Sequence, residues 1–484
     1  MINNNFNLKE KVIIGVRWTT LSAIIILLVQ LIQLSILARF LDPSEFGLMA
    51  LVMVIVGFSH TFMDMGISNV LIYKQNIDKE HLSTLYWISL IFGGVFFIIM
   101  ILISPLIAAF YKEPILIELI HLVSITFIIQ PLGQQFMVLL KKDMRFSEIA
   151  KIDIINKTMA MLISVYFAYL GYGIHAVVYG LVVGTVIQST IYLYIGIKEF
   201  RPSLIFKLKG ISSYLSFGAY QTGEKTINYF NLQIDTIIIG RLLGMEILGI
   251  YTIAKEIAIR PAQIINLIIS KVSFPAMAKV QDDILQLKNV YLKILNYLLS
   301  ITLPIYVFIF IFAYEIVIVL FGEQWLQSVI ILQILSIWGA LKSVGLPIGS
   351  LVLSKGKANW AFWWNVSLFC YIPACIYIGS FWGIIGVSYS LVLSLIPVVT
   401  IATWYFLVKP LCKAKYLEYH YEIFVPSFIS VVSAILTYMC IDNIEWFVTK
   451  ITIGIFIGII FILLMNYIFN RRFIFAIKHI MKIN

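Results

Sequence analysis

The chain has 484 residues, 61% of them hydrophobic and 12% charged, with a formal net charge of +11. Soluble globular proteins carry roughly 25% charged residues, so this composition excludes a water-dissolved fold and fits a chain dissolved in lipid. The basic excess is then a property of membrane loops, and no nucleic-acid partner is needed to explain it.

The first residues, Met1 to Arg17, are polar and run into an apolar stretch with no small-residue cleavage site, so an uncleaved end is expected. Hydropathy predicts spans at 17–38, 46–68, 84–110, 115–139, 149–170 and 173–197. A second set follows at 213–240, 246–270, 292–320, 327–353, 358–379 and 382–408, and two more at 422–441 and 448–469. All fourteen should be helices, because lipid admits only helices or closed barrels and these runs are too long for barrel strands. The expected fold is an all-α integral membrane protein with 14 transmembrane helices. It divides into an N-lobe at 1–205, a C-lobe at 206–410 and extra helices at 411–484.

A repeat supports that division. Arg39-Phe40-Leu41-Asp42-Pro43-Ser44-Glu45-Phe46-Gly47-Leu48 returns 202 residues later as Arg241-Leu242-Leu243-Gly244-Met245-Glu246-Ile247-Leu248-Gly249-Ile250. Arg, Leu and Gly stay in register. Two similar halves around a central site are a common transporter plan.

Charge orients the spans. The fourteen-span map puts 26 of the 35 Lys and Arg residues on one side and four on the other, namely Arg39, Lys112, Arg241 and Lys450. Removing the doubtful span at 213–240, which holds Glu224, Lys225 and Asp235, destroys that asymmetry. Both termini are therefore expected in the cytoplasm. No outer loop exceeds roughly ten residues on this map, which argues against a polytopic glycosyltransferase or polymerase with catalytic carboxylates outside the membrane.

An ionisable side chain at the bilayer centre costs about 2.5–3.5 kcal/mol on insertion scales, so each needs a reason. With the offset of 202, the first half is mostly neutral where the second half carries Glu224, Lys225, Asp235, Lys255, Glu256 and Arg260. Gln221, Glu224, Lys225, Asn228, Asn231 and Asp235 recur at three- and four-residue steps and share a helical face. Glu256 and Arg260 form an i,i+4 acid–base pair in the favoured order. These groups either neutralise one another as buried ion pairs or line a wet cavity, and two adjacent polar stripes favour the cavity. The first half adds Arg17, the one-turn neighbours Gln30 and Gln33, and His60 with Asp64. Asp153 and Lys157 read as a self-satisfied pair.

Several chemistries are missing. No GxxxxGK[ST] loop, HExxH motif or ligand-spaced His/Cys cluster occurs, so neither ATP hydrolysis nor a metal is expected, and the chain reads as a non-enzyme. Cys370, Cys375, Cys412 and Cys440 have no CxxC spacing and read as packing residues.

Several stretches together carry a likeness: RWTTLS at 17–22, ILARFLDPSEFGLMAL at 36–51, DMGISNVLI at 64–72, HLSTLYW at 81–87 and LLKKDMRF at 139–146. NYFNLQIDTIIIGRLLGMEILGIYTIAKEIA at 228–258 and VSFPAMAKVQDD at 272–283 extend it across the second half. The chain resembles the polysaccharide flippases of the multidrug/oligosaccharidyl-lipid/polysaccharide superfamily, particularly the Wzx-like lipopolysaccharide and exopolysaccharide exporters.

That resemblance implies a bacterial inner-membrane protein moving an undecaprenyl-diphosphate-linked oligosaccharide to the outer leaflet. It also implies a cationic cavity lined by the first, second, seventh and eighth helices. The substrate-binding cations are then Arg17, Lys225, Lys255 and Arg260. Asp64, Glu224, Asp235 and Glu256 are the ion-coupling or gating acids for H+ or Na+, and Gln30, Gln33, Gln221, Asn228 and Asn231 the polar lining. Implied partners are membrane lipid, a polysaccharide polymerase and assembly proteins. The alternatives are a same-fold exporter of a drug or other lipid-linked precursor, and a non-transporting assembly scaffold.

Overall fold

The computed structural model describes residues 8–63, 71, 77–207, 212–442, 444 and 446–475. The described residues hold seventeen α-helices and no β-strand. Two compact units emerge, Met1–Gly249 and Ile250–Asn484. This is a division by packing, whereas 205/206 is a division by repeat.

The first unit contains α1 (Leu8–Leu37), α2 (Pro43–Met63), α3 (Lys79–Tyr111), α4 (Ile115–Lys142), α5 (Phe146–Tyr169), α6 (Ile174–Glu199) and α7 (Ser212–Leu242). It also holds the first turn of α8 (Met245–Lys279). The second unit continues with α9 (Ile284–Ile311), α10 (Ala313–Leu320), α11 (Ser328–Val344), α12 (Ile348–Ser354) and α13 (Ala358–Ser380). It ends with α14 (Gly383–Pro397), α15 (Lys409–Cys412), α16 (Tyr416–Ile441) and α17 (Phe447–Phe469).

The described part of each expected span is helical, with 64–68 of the second lying outside the described residues, but three of the spans are split. The stretch 292–320 breaks at Phe312 into α9 and α10, and 327–353 breaks at Gly345–Pro347 into α11 and α12. The stretch 382–408 leaves α-helical geometry after Pro397 and runs through two π turns, Val398–Ala402 and Trp404–Val408. Proline lacks the N–H that continues the ladder and crowds the preceding turn, which favours such a rearrangement. Eleven helices among the described residues are long and apolar enough to cross a membrane. The expected spans at 149–170, 213–240 and 246–270 form helices of 24, 31 and 35 residues but fall outside that set. Their sequences explain it: they carry Asp153 and Lys157, then Lys225 and Asp235, then Lys255, Glu256 and Arg260.

In the first unit, α6 packs on α5 and α4, α3 packs on α4, α1 on α5, and α2 on α7. Phe46, Phe127 and Phe136 are fully buried there, while Leu102 and Leu106 on α3 are 70% and 69% exposed. Large apolar side chains left outward in this way suit contact with lipid chains. In the second unit α9 packs against α11 and α16, α14 against α11 and α13, and α17 against α16.

The repeated segment starts a helix in each half, by different means. Asp42 precedes Pro43 at the first helical position. Its Oδ1 accepts from the Glu45 N–H at 2.9 Å, and Glu45 Oε2 accepts from the Asp42 N–H at 3.1 Å. This is a capping box with Pro at N1. Glu45 also accepts through Oε1 from the Ile174 N–H at 3.0 Å, tying the start of α6 to the start of α2. In the second copy Gly244, at φ +90°, makes the turn instead.

The matching glycines meet. A Cβ on Gly47 would lie 2.0 Å from the Met245 carbonyl oxygen, and one on Gly249 would lie 1.7 Å from that of Pro43. Pro43 and Met245 are themselves matched by the repeat. The first turns of α2 and α8 therefore cross reciprocally, each glycine receiving the other copy's backbone. Small residues permit this close approach where lipid supplies no hydrophobic drive between helices.

Candidate functional site

The first unit holds the stripe on α7. Lys225 and Asn228 are exposed, Asn231 is half-buried, and Asp235 is buried. The stripe thus passes from exposed to buried along about three helical turns. Asp235 Oδ1 accepts from the Thr236 N–H at 2.8 Å. The side chains of Gln221 and Glu224, and Asp64 altogether, lie outside the described residues.

On α1, Arg17 is exposed and Gln30 and Gln33 are half-buried. Gln33 Nε2 donates to Ser164 Oγ on α5 at 3.2 Å, so this lining residue is engaged with α5. Helix α7 instead meets α2. Tyr229 Oη donates to the Val54 carbonyl at 2.7 Å, its ring seated against Gly57, and Phe230 lies 5.3 Å from Phe58 between ring centres. Tyr229 escaped the sequence reading. Its only signal is Gly57, a small residue opposite a large one.

The second unit holds the charges of α8. Lys255 is buried, 6.0 Å from the centre of the Tyr251 ring one turn earlier. Glu256 and Arg260 form the expected i,i+4 pair at 2.5 Å, both half-buried. Lys255 and Arg260 are five positions apart, roughly 140° around the helix, so they do not share a face. Arg260 is an ion-pair partner here, whereas Lys255 is a buried cation beside a buried aromatic ring.

Asp153 and Lys157 act on each other electrostatically as expected, and Asp153 has further partners on another helix. Its Oδ1 accepts from Gln188 Nε2 at 2.9 Å and from Tyr192 Oη at 3.3 Å, both on α6. Helical spacing discloses Lys157 but cannot reveal donors on a neighbouring helix.

A polar network in the second unit was also not legible. Asn296 Nδ2 on α9 donates to Glu422 Oε2 on α16 at 2.8 Å. Asn470, just past α17, donates to Asn296 Oδ1 at 2.9 Å and to Ser300 Oγ at 3.0 Å. These bonds tie the last two helices to α9. The one sequence signal was the i,i+4 spacing of Asn466 and Asn470.

Loop charges are paired where acids are near. Lys207 lies 2.9 Å from Glu80, whose carboxylate holds the ammonium pKa above its ordinary value. Among the described residues, no group of three or more His, Cys, Asp and Glu side chains could hold a metal ion, and the four cysteines are free.

Chemically, the buried carboxylate and amides of α7 can hold a polar or cationic group away from hydrocarbon, and the buried ammonium of α8 can by itself hold an anionic one. The model of a family described as polysaccharide biosynthesis protein matches residues 36–330. The lipopolysaccharide biosynthesis protein WzxC of Escherichia coli (strain K12) is 33% identical over 89% of this chain and 88% of its own length. Among solved structures, the lipid II flippase MurJ in an inward closed conformation is similar, with a TM-score of 0.75 and 15% identity. That likeness covers 94% of this chain and 99% of MurJ. A multidrug resistance MATE family transporter of the MOP superfamily, inward-facing, gives a TM-score of 0.59 at 14% identity over 76% and 92% of the two chains.

Proposed function

Since this chain belongs to the polysaccharide biosynthesis protein family, we propose that it is a flippase for an undecaprenyl-diphosphate-linked oligosaccharide, serving surface polysaccharide assembly. The family and fold are those of membrane transporters rather than enzymes. The observation that carries the substrate reading is the polar stripe of α7 and α8. Two very long helices in a lipid-dissolved chain bury Asp235 and Lys255 at a cost that packing alone does not repay.

In this reading fourteen helices cross the bacterial inner membrane with both termini in the cytoplasm. The lobes at 1–205 and 206–410 rock about the site, and 411–484 is accessory. Arg17, Lys225, Lys255 and Arg260 hold the diphosphate oxygens, since cations recognise phosphate strongly where water is scarce. Gln30, Gln33, Gln221, Asn228 and Asn231 line the path of the sugars. The lipid tail stays in the bilayer, because only the headgroup needs a route through about 30 Å of hydrocarbon. Binding of H+ or Na+ at Asp64, Glu224, Asp235 or Glu256 biases the two states by the ion's differential affinity for them. A polysaccharide polymerase and assembly proteins consume the product outside.

The test replaces Lys255 with Gln and Asp235 with Asn in cells lacking the native copy. Surface glycan should fall more than tenfold while lipid-linked intermediate accumulates in the cytoplasmic leaflet and membrane levels of the protein stay normal. Export at the wild-type level in both variants would remove the site. No accumulation of lipid-linked intermediate on deleting the protein would remove the flippase.

A further inference from the structure

The second unit has a basic opening far along the chain from α7 and α8. A pocket of about 740 Å³ forms between the end of the π turns and the start of α16. Lys409, Lys413 and Lys415 line it, together with Trp404, Tyr405 and Tyr416. All three lysines are exposed, and none forms an ion pair among the described residues. The nearby acid is already used: Glu418 accepts from Lys288 Nζ at 3.0 Å and from the Lys415 N–H at 2.9 Å. Lys409 Nζ stands 5.3 Å from the Trp404 ring and 5.4 Å from the Tyr405 ring, a cation resting on aromatic faces.

The backbone builds this opening. Lys413 at φ +55° closes α15 and turns the chain, so lysines at three positions surround one space. Trp404 Nε1 donates to the Ala414 carbonyl at 3.0 Å, and Tyr419 Oη donates to the Val399 carbonyl at 3.1 Å. These bonds pin the two π turns to the loop and to α16. π turns inside helices frequently mark functional sites.

An apolar groove of about 450 Å³ adjoins the pocket and shares Tyr405 with it. Trp364, Leu368, Val398, Ile401 and Phe406 line this groove, between α13 and the π segment. A cationic cup beside an apolar groove matches a molecule with one phosphate and a hydrocarbon chain. Basic pockets of this kind at the cytoplasmic ends of membrane helices bind anionic lipid headgroups. No arginine lines the cup. Three separate ammonium groups suit a single phosphodiester, whereas a diphosphate is better met by guanidinium forks.

We propose that this pocket binds the headgroup phosphate of an anionic glycerophospholipid from the leaflet facing the basic loops, with one acyl chain laid in the adjoining groove. The site goes beyond the transport reading and does not depend on it. Bound lipid would fix the π segment against α13 and α16 as a structural ligand.

The full chain, purified in mild detergent, is mixed with dioleoyl phosphatidylglycerol or dioleoyl phosphatidylethanolamine and retained lipid is counted by native mass spectrometry. Phosphatidylglycerol should be retained selectively. Removal of Lys409, Lys413 or Lys415 by substitution with Gln should weaken retention roughly fivefold per lysine. Ile401→Trp, which fills the groove and leaves the lysines alone, should weaken it as well. Thermal melts of the variants should match the wild type in lipid-free detergent. Equal retention of phosphatidylethanolamine, or wild-type retention by the triple lysine variant, would overturn the proposal. So would displacement by inorganic phosphate, which would make the cup a phosphate site only, or preferred capture of a polyprenyl diphosphate.

Discussion

On α8 the guanidinium of Arg260 donates to Glu256 at 2.5 Å, and this fixes how the two residues can be tested. Neutralising Arg260 alone strands a half-buried carboxylate, so loss of function would not separate a structural from a substrate role. Exchanging the two, as Glu256→Arg with Arg260→Glu, keeps the pair and moves the positive charge one turn. If Arg260 meets phosphate, the exchanged protein should reach normal membrane levels and melt within a few degrees of the wild type while glycan export stays at least tenfold down. Restored export would make the pair structural. Lys255, buried beside Tyr251, is a second probe of charge.

At the scale of helices, the network of Asn296, Glu422 and Asn470 does for α16 and α17 what hydrophobic burial does in water. Inside lipid, apolar contacts between helices compete with equally apolar chains, so interhelical hydrogen bonds and close packing carry the association. Each such bond is worth about 0.6 kcal/mol on average in membrane proteins. Asn470→Leu removes donors to three partners, Asn296, Ser300 and Asn466. It should therefore destabilise the chain by about 1–2 kcal/mol. A lower melting temperature, with protease cutting first in the loop before α17, would be the readout; an unchanged melt would show that the network carries little.

The same helices show what a sequence can and cannot disclose. Eleven of the predicted spans met long apolar helices because a run of twenty apolar residues is a local property. The polar stretch 213–240, which charge asymmetry kept in the map, lies outside the apolar set yet forms a helix of 31 residues. Breaks were missed: Pro397 reads simply as a proline in an apolar run, and no periodicity discloses the bonds from Tyr419 to Val399 and from Trp404 to Ala414 that tie the π turns beyond it to their surroundings. Partners were missed for the same reason. Asn296 and Glu422 are 126 positions apart, and no periodicity joins them. The candidate site was legible as residue types on a helical face, while its burial gradient and the fate of Gln33 required neighbouring helices.

For the whole molecule, the basic residues make a topological commitment. If 26 of them lie in the cytoplasm, reporter fusions within 280–283, between α8 and α9, should be active there and silent outside. Fusions within 112–114, between α3 and α4, should behave oppositely. A periplasmic signal at 280–283 would break the fourteen-crossing reading, because α7 or α8 would then fail to cross.

The reciprocal glycines have one more consequence. Gly47 receives Met245 and Gly249 receives Pro43, so the first turns of α2 and α8 recognise each other through matched surfaces, as symmetric partners do. On the proposed division at 205/206, the peptide link would serve mainly to keep these matched turns at high local concentration. Made as separate polypeptides in one cell, residues 1–205 and 206–484 should find each other and copurify. Gly47→Leu, which drives a side chain into the opposing backbone, should abolish that pairing. The chain would then behave as a heterodimer whose subunits happen to be joined end to end.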